Sequence, residues 1–160
     1  MYLGNRNGID VGDLSLNKLG SDSGMLLPKL DKGIADYPTF RMSIGDVYRF
    51  TSRGKVLTDR MEYPEYMRVK PIPLNNRFYL ESGVYLVRCR EYVKIPNDCI
   101  GLVLPNPSLI GMGATLQTTI WTPGYEGYVT GLLVVYNMHG IELEHGAQIG
   151  QMILVKTTKL

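Results

Sequence analysis

Cysteine and histidine are scarce in this sequence. Its 160 residues include two cysteines, Cys89 and Cys99, and two histidines, His139 and His145. The cysteines form no C-x-x-C pair, and neither histidine has a cysteine or an aspartate at ligand spacing, so the sequence indicates neither a disulfide framework nor a protein-held metal site. We predict that both histidines are surface loop residues and that the chain works in a reducing compartment, the cytoplasm.

The net charge is also low, and the sequence has no long apolar run. The chain has 17 Lys and Arg against 15 Asp and Glu, a formal charge of +2, and no consecutive basic residues, which argues against long nucleic acid as a partner. No stretch approaches the roughly 20 apolar residues of a membrane span, and the N-terminus lacks the charged-then-apolar layout of a signal peptide. We therefore expect a soluble protein with no membrane partner.

Motifs of the common nucleotide-binding and hydrolytic folds are missing as well. No glycine is followed four residues later by the Gly-Lys-Ser/Thr of a P-loop, and no spaced glycine fingerprint opens a helix after a strand. No serine occupies a G-x-S-x-G elbow. The sequence therefore excludes the P-loop and Rossmann folds and gives no support for a Ser/His/Asp hydrolase.

Turn-forming and strand-forming residues are abundant instead. The chain has 18 glycines, 9 prolines and 11 tyrosines, together with many valines and isoleucines, a mixture typical of a β-rich domain with many tight turns. Because this length suits one ordinary domain, we predict a single domain over residues 1–160. Within it, residues 1–38 are predicted to form an irregular N-terminal arm, because glycines interrupt any helical pattern there, and residues 40–155 are predicted to form the β core.

Short strands separated by turns are predicted along this core. The stretch "FRMSIGDVYRF" (Phe40 to Phe50) alternates around Gly45 and predicts two short strands or one bulged strand. Residues 51–76 contain three prolines and are predicted to form a surface excursion between strands. Further strands are predicted at residues 78–80, 84–91, 92–95, 100–104, 117–122 and 128–137. Strands this short, with turns every eight to twelve residues, predict an all-β sandwich or barrel.

Two glutamates near the C-terminus, Glu142 and Glu144, resemble a paired-carboxylate site. They alternate with Ile141 and Leu143, however, as in a half-buried strand. We therefore predict that both carboxylates face solvent and take no part in acid–base chemistry.

Four stretches together carry a resemblance to a known family. They are "FRMSIGDVYRF", "YLESGVYLVRCREYVKIPNDCIGLVLP", "PNPSLIGMG" and "TTIWTPGYEGYVTGLLVVYN…GIELEHGAQIGQMIL". Over residues 40 to 155 they resemble the trimeric dUTP diphosphatases (dUTPases) and their relatives the dCTP deaminases, most closely the short archaeal dUTPases. The last stretch is the most specific, because it follows the base-binding hairpin and the closing strand of that family almost element by element.

The resemblance implies a fold, an assembly and a site. The fold is a distorted, jelly-roll-like β-barrel, and the assembly is a homotrimer with nucleotide sites at its subunit boundaries. The family's activity is hydrolysis of dUTP to dUMP and pyrophosphate, with Mg²⁺ held mainly by the triphosphate. The resemblance places main-chain contacts to the pyrimidine at Thr119, Ile120, Trp121 and Thr122, a deoxyribose contact at Tyr125, the family's second phosphate-motif serine at Ser108 and its closing-strand glutamine at Gln151.

This sequence departs from the family where the chemistry is carried. Thr122 stands where dUTPases have the Asp that activates the attacking water, and removing a general base typically costs ~10²–10⁴ in rate. Asn106 and Gly111 replace the two phosphate-motif arginines, and neither carries the charge of a bidentate guanidinium. Pro107 replaces the first serine of that motif, and Arg41 replaces the early Asp.

The positions specific to the deaminases are changed too. Val134 occupies the position of the deaminase glutamate, and Pro107 and Gly111 replace a serine and an arginine of its phosphate motif. The sequence therefore predicts no dCTP deaminase activity.

Two functions follow from this pattern. One is a deoxyuridine-nucleotide-binding protein whose dUTP hydrolysis is weakened or lost because Thr122 replaces the catalytic Asp. The alternative is a non-catalytic trimeric paralogue that binds a nucleotide or another protein. Glu126 is the nearest carboxylate to Thr122 along the hairpin, and we predict no catalytic role for it because it sits across the turn.

Overall fold

The computed structural model of the protein describes residues 39–157, and the predicted N-terminal arm lies outside them. The elements, in chain order, are β1 (Thr39–Phe50), β2 (Lys55–Val56), β3 (Met61–Glu62), β4 (Tyr66–Val69), β5 (Arg77–Leu80), β6 (Gly83–Lys94), β7 (Cys99–Pro105), α1 (Pro107–Gly111), β8 (Ala114–Gln117), β9 (Ile120–Trp121), β10 (Glu126–Val135), β11 (Ile141–Glu144) and β12 (Gln148–Lys156). The predicted all-β class is confirmed, with one five-residue helix in the described part of the chain.

An eight-stranded antiparallel sheet forms the body of the fold. Its strands run in the order β8-β10-β6-β1-β12-β7-β9, with β4 paired to β1, and it curls into a half-barrel. Two small two-stranded sheets, β11-β5 and β2-β3, complete the architecture. The barrel-like subunit that the sequence predicts is therefore confirmed.

The first strand connects the two halves of this sheet. Its N-terminal part pairs with β12, and its C-terminal part pairs with β6 and β4. The change of neighbours coincides with register shifts on both sides of Ile44 and with Gly45, where an added Cβ would lie 2.9 Å from the carbonyl oxygen of Arg88. Gly45 thus lets the bulged strand pass close to β6, which confirms the single bulged strand among the two predicted alternatives.

The core is formed by the buried side chains on one face of the curled sheet. On β6 and β10 every second side chain is buried, including Val87 and Leu133, which are fully covered. Burying one such side chain stabilises the fold by about 1.5–3 kcal/mol relative to leaving it exposed. The alternation also leaves an outer face on each half of the sheet, and the outer face of β1, β12, β7 and β9 is the one that matters for the site.

Two predicted segments differ from the structure. Residues 51–76 are largely exposed, as predicted for an excursion, but they also contain β2, β3 and β4, and β4 joins the main sheet. The single strand predicted over residues 117–122 is wrong: β8 ends at Gln117 and β9 begins at Ile120. The chain crosses here from the β10 edge of the sheet to the β7 edge, and the Thr118 hydroxyl donates to the carbonyl of Val103 (2.9 Å) during the crossing.

Of the helices in residues 39–157, none has the length and apolar character needed to cross a membrane. The helix α1 has five residues and packs beside β8. Its buried side chain is Leu109, which anchors it to the core.

Candidate functional site

The hairpin between β9 and β10 begins with a tight turn. Tyr125 N donates to the Thr122 carbonyl (3.1 Å), and Gly124 has φ +74°, which with Pro123 before it fits a type II turn. Two further main-chain bonds join this turn to the end of β6: Gly124 N donates to Ile95 O (3.0 Å), and Ile95 N donates to Tyr125 O (2.8 Å). The turn is therefore held by backbone bonds, and none of them uses the side chain of residue 122.

Tyr125 is half-buried beside this turn. Its ring packs against that of Trp121, with centroids 4.8 Å apart and planes tilted by 48°, and its hydroxyl donates to the carbonyl of Tyr128 (2.9 Å). The phenol is thus oriented by the hairpin itself. The predicted contact between this ring and a deoxyribose stays a prediction.

The predicted base-reading segment presents both exposed and buried side chains. Thr119, Ile120 and Thr122 are exposed, whereas Trp121 is 6% exposed. The indole Nε1 of Trp121 is buried without a hydrogen-bond partner among the described residues. Because β9 lies at an edge of the sheet, outside β7, this segment is accessible from its other side.

The predicted phosphate segment forms the start of α1. Asn106 is the N-cap, and its Oδ1 accepts from the amide of Ser108 (2.9 Å). The amide of Asn106 donates to Ile149 O (2.9 Å), and its Nδ2 donates to Gln148 O (3.4 Å). At the position where the resemblance places an arginine, this chain therefore has a helix cap that fixes α1 against β12 and leaves Ser108 exposed.

Gln151 is half-buried on β12, between Arg41 of β1 and Leu104 of β7. Its neighbours Gly150 and Met152 are buried, so Gln151 lies on the outer face. Gly150 pairs with Pro105, the last residue of β7 before α1. The structure thus brings Gln151 and the segment that carries Ser108 to the same end of the sheet.

The base-reading hairpin lies further along β7. Leu104 is opposite Gln151, whereas Gly101 is opposite Trp121. Three residues along a strand correspond to about 10 Å. The predicted site residues of one chain therefore fall into two groups, which we call the predicted half-sites: one with Ser108 and Gln151, and the other on the hairpin.

Glu126, the carboxylate nearest to Thr122 along the hairpin, faces the adjacent strand. It is exposed, pairs in register with Lys94, and its carboxylate lies 3.8 Å from Lys94 Nζ and 3.5 Å from the Tyr92 hydroxyl. Partial desolvation and the charge of Glu126 raise the pKa of Tyr92. Glu126 thus takes part in an ion pair on the β6 side, and its lack of a catalytic role stays a prediction.

The deaminase-specific position carries no acid. Val134 lies in register between Thr115 of β8 and Val84 of β6, and none of these three side chains can transfer a proton. On β11, Glu142 and Glu144 are exposed and Ile141 and Leu143 are buried, which confirms the predicted half-buried strand.

Within residues 39–157 no three His, Cys, Asp or Glu side chains come together in a group that could hold a metal ion. Of the two histidines, His139 is exposed, as predicted. His145 is half-buried, and its ring lies 6.0 Å from that of Phe78. His145 lies in the turn between β11 and β12, as predicted for a loop residue, although its ring is partly covered on the side of Phe78.

Comparison with known proteins assigns the family. Residues 40–157 match the family model described as dCTP deaminase-like. The chain belongs to this family. It is also 31% identical over 144 residues to a probable deoxyuridine 5'-triphosphate nucleotidohydrolase of Archaeoglobus fulgidus, a match that covers 88% of this chain and 84% of the relative. Together these matches confirm the resemblance seen in the sequence.

Two further proteins are similar to this chain, one in sequence and one in structure. The deoxyuridine 5'-triphosphate nucleotidohydrolase of Methanocaldococcus jannaschii is 34% identical over 117 residues, which cover 72% of this chain and 74% of the relative. The crystal structure of 2'-deoxycytidine 5'-triphosphate deaminase from Agrobacterium tumefaciens superposes with a TM-score of 0.54 at 15% identity, over 80% of this chain and 43% of that one. The structural match shows the shared fold.

Proposed function

We propose that this protein binds a deoxyuridine nucleotide at sites formed between the subunits of a homotrimer, and that its hydrolysis of dUTP is weakened or lost. The observation that carries the proposal is Thr122, an exposed side chain at the turn of an otherwise well-formed base-reading hairpin. The names of the archaeal relatives support a nucleoside triphosphate as the ligand.

The chemistry of Thr122 supports weak hydrolysis. Attack of water on the α-phosphorus needs a group that takes up a proton near neutral pH, and a threonine hydroxyl does not. Glu126 is no substitute, because its carboxylate points to Lys94 on the neighbouring strand. Losing a general base costs ~10²–10⁴ in rate, so we expect nucleotide binding to persist with slow turnover.

The separation of the half-sites supports assembly. Gln151 and the hairpin of one chain lie about 10 Å apart along β7, and we propose that the hairpin of a second subunit is brought to the Ser108 end at a subunit boundary, as the resemblance implies. The outer face between them carries exposed apolar side chains, including Leu104 (47%) and Ile120 (56%), which a subunit interface would bury. A homotrimer would cover this face. Sedimentation or light scattering should give three times the chain mass of 18.0 kDa, and a monomer mass would contradict the shared sites.

A metal ion in this site would depend on the nucleotide. Mg²⁺ is usually bound by one or two carboxylates together with substrate phosphates and water, and the described residues form no cage for it. We therefore propose that any Mg²⁺ arrives on the triphosphate and neutralises part of its charge. A cytoplasmic location stays a prediction from the sparse cysteines.

The experiment is a comparison of turnover and binding in matched variants. Purified protein would receive dUTP, dCTP, dTTP and UTP with Mg²⁺, and pyrophosphate release and equilibrium binding would be followed. Thr122→Asp restores an acid at the turn, and Thr58→Asp makes the same change at an exposed position between β2 and β3.

We expect binding of dUTP without ordinary turnover in the unmodified protein, and a gain of about 10²–10⁴ in Thr122→Asp only. Turnover of dUTP by the unmodified protein at 1 s⁻¹ or faster, the ordinary enzyme range of about 1–10³ s⁻¹, would contradict the weakened active site. Absence of binding to any of the four nucleotides would instead favour a protein-binding paralogue.

A further inference from the structure

Two arginine side chains converge on Gly146, in the turn between β11 and β12. Arg41 of β1 donates from Nη2 to the Gly146 carbonyl (3.3 Å). The side chain of Arg90 on β6 also approaches Gly146, and its Nη1 lies 2.7 Å from the position that a Cβ on Gly146 would occupy. Glycine at this position, with φ +87°, leaves room for the second guanidinium. Both cationic groups thus lie against one residue of the main chain.

This pair is not neutralised by acids in the described part of the chain. Five of its arginines lie within 4.0 Å of a carboxylate, but neither Arg41 nor Arg90 does. The carboxylate next to Arg90 in sequence, Glu91, accepts a hydrogen bond from the amide of Ser43 (2.8 Å). Both arginines are exposed, so most of their N–H donors face solvent. Two like charges held beside the same residue repel each other, and an anion that binds close to both would reduce this repulsion.

The pair lies at the phosphate end of the candidate site. Arg41 is the register partner of Gln151, and Ser43, two residues along β1, is the partner of Gln148. The carbonyl of Gln148 in turn accepts from the Asn106 side chain at the start of α1. Arg41, Gln151 and the segment that carries Ser108 are therefore on three adjacent strands or their ends.

We propose that Arg41 and Arg90 form a phosphate-binding pair for the polyphosphate of the nucleotide, in place of the two arginines that are absent at Asn106 and Gly111. The identity of the ligand as a nucleotide polyphosphate rests on the proposed function, whereas the presence of an anion site at Arg41 and Arg90 does not. Guanidinium groups suit this ligand because each presents several N–H donors in a plane and can bind two phosphate oxygens at once. The sequence alone did not indicate Arg90, because it meets Arg41 only through contacts between distant parts of the chain.

The test is calorimetric titration with two probes, inorganic tripolyphosphate and the non-hydrolysable α,β-imido analogue of dUTP. The variants are Arg41→Gln, Arg90→Gln and the charge-retaining Arg41→Lys. Arg53→Gln is the matched control. Arg53 is exposed and has no carboxylate within 4.0 Å among the described residues, but it lies in the loop between β1 and β2, away from Gly146 in sequence. Circular dichroism and particle mass confirm that each variant is folded and assembled.

We expect Arg41→Gln and Arg90→Gln each to weaken binding of both probes at least tenfold, Arg41→Lys to lose less, and Arg53→Gln to match the unmodified protein. Unchanged affinity in both glutamine variants, or an equal loss in Arg53→Gln, would overturn the pair. Arginine-dependent binding of tripolyphosphate without binding of the analogue would support the anion site and refute the proposed nucleotide function. No binding of either probe by the unmodified protein would overturn both.

Discussion

Asp46 is the residue whose removal should most perturb the centre of the sheet. It follows Gly45 at the bulge of β1 and is 7% exposed. Its Oδ2 accepts from Arg88 of β6 and its Oδ1 from Arg68 of β4, so one carboxylate links three strands. The Arg88 guanidinium also lies over the ring of Tyr128, 4.8 Å from the centroid.

The expected cost can be apportioned between the two arginines. Removing one member of a buried ion pair costs about 3–5 kcal/mol, because the other charge is left uncompensated. The side chain of Arg68 is 60% exposed and would be hydrated by solvent, whereas that of Arg88 is 33% exposed and lies against the ring of Tyr128. We therefore expect Asp46→Ala to destabilise the fold by about 2–3 kcal/mol, or about 5–10 °C in Tm, mostly through Arg88.

The assay is urea denaturation at one fixed protein concentration, because assembly contributes to the measured stability. The single variants are Asp46→Ala, Asp46→Asn, Arg68→Ala and Arg88→Ala. The two double variants combine Asp46→Ala with Arg68→Ala and with Arg88→Ala. The coupling energy between Asp46 and Arg88 should exceed that between Asp46 and Arg68. The reasoning fails if Asp46→Asn stays within about 0.5 kcal/mol of the unmodified protein, or if the two coupling energies are equal.

Three further predictions test the hairpin and the core by thermal or urea denaturation. Gly124→Ala should lower the free energy of unfolding by about 1 kcal/mol or more, because φ is +74° and the new Cβ would lie 2.9 Å from Asn97 Oδ1. Gly111→Ala is the control and should leave stability unchanged, because no atom lies within 4 Å of its Cβ position. Equal effects of the two substitutions would contradict this reasoning. Trp121→Ala should lower the free energy of unfolding by about 3–5 kcal/mol. Trp121→Phe should cost much less, because it also removes the indole N–H that has no hydrogen-bond partner among the described residues. Equal losses of stability in the two variants would refute this explanation. Burial raises the pKa of Cys89 above its ordinary value of 9.0. Above that pH the unfolded chain loses a proton that the native chain keeps, so the free energy of unfolding should fall by ~1.4 kcal/mol per pH unit. The Cys89→Ala variant should lack this contribution to the pH dependence, and an identical slope in both proteins would contradict the prediction.

Local sequence patterns predicted the parts of the fold that local physics decides. Alternating side chains on β11 gave the buried face of Ile141 and Leu143, and the Pro123-Gly124 pair gave the turn that the structure contains. In each case the preferred backbone or the burial pattern is set by residues only a few positions apart. The same kind of pattern, around Gly45, gave a single bulged strand as one of two alternatives for β1.

Long-range pairing could not be read from the sequence. The short strand β9 was joined to β8 in the prediction because residues 117–122 favour extended chain throughout. The structure places them on opposite edges of the sheet, and only the partners β10 and β7 decide this. The meeting of Arg41 and Arg90 at Gly146 is likewise a result of strand register, which a one-residue shift would abolish.

The hairpin keeps its turn without help from the side chain of residue 122. Its turn depends on the φ of Gly124, on Pro123 and on main-chain bonds to Ile95, and the side chain of residue 122 is exposed and makes none of these bonds. Exchange at an exposed position away from such features usually changes stability by less than about 0.5 kcal/mol. An aspartate at position 122 should therefore fold on the same backbone, so that any change in turnover reports proton transfer and not a repaired structure.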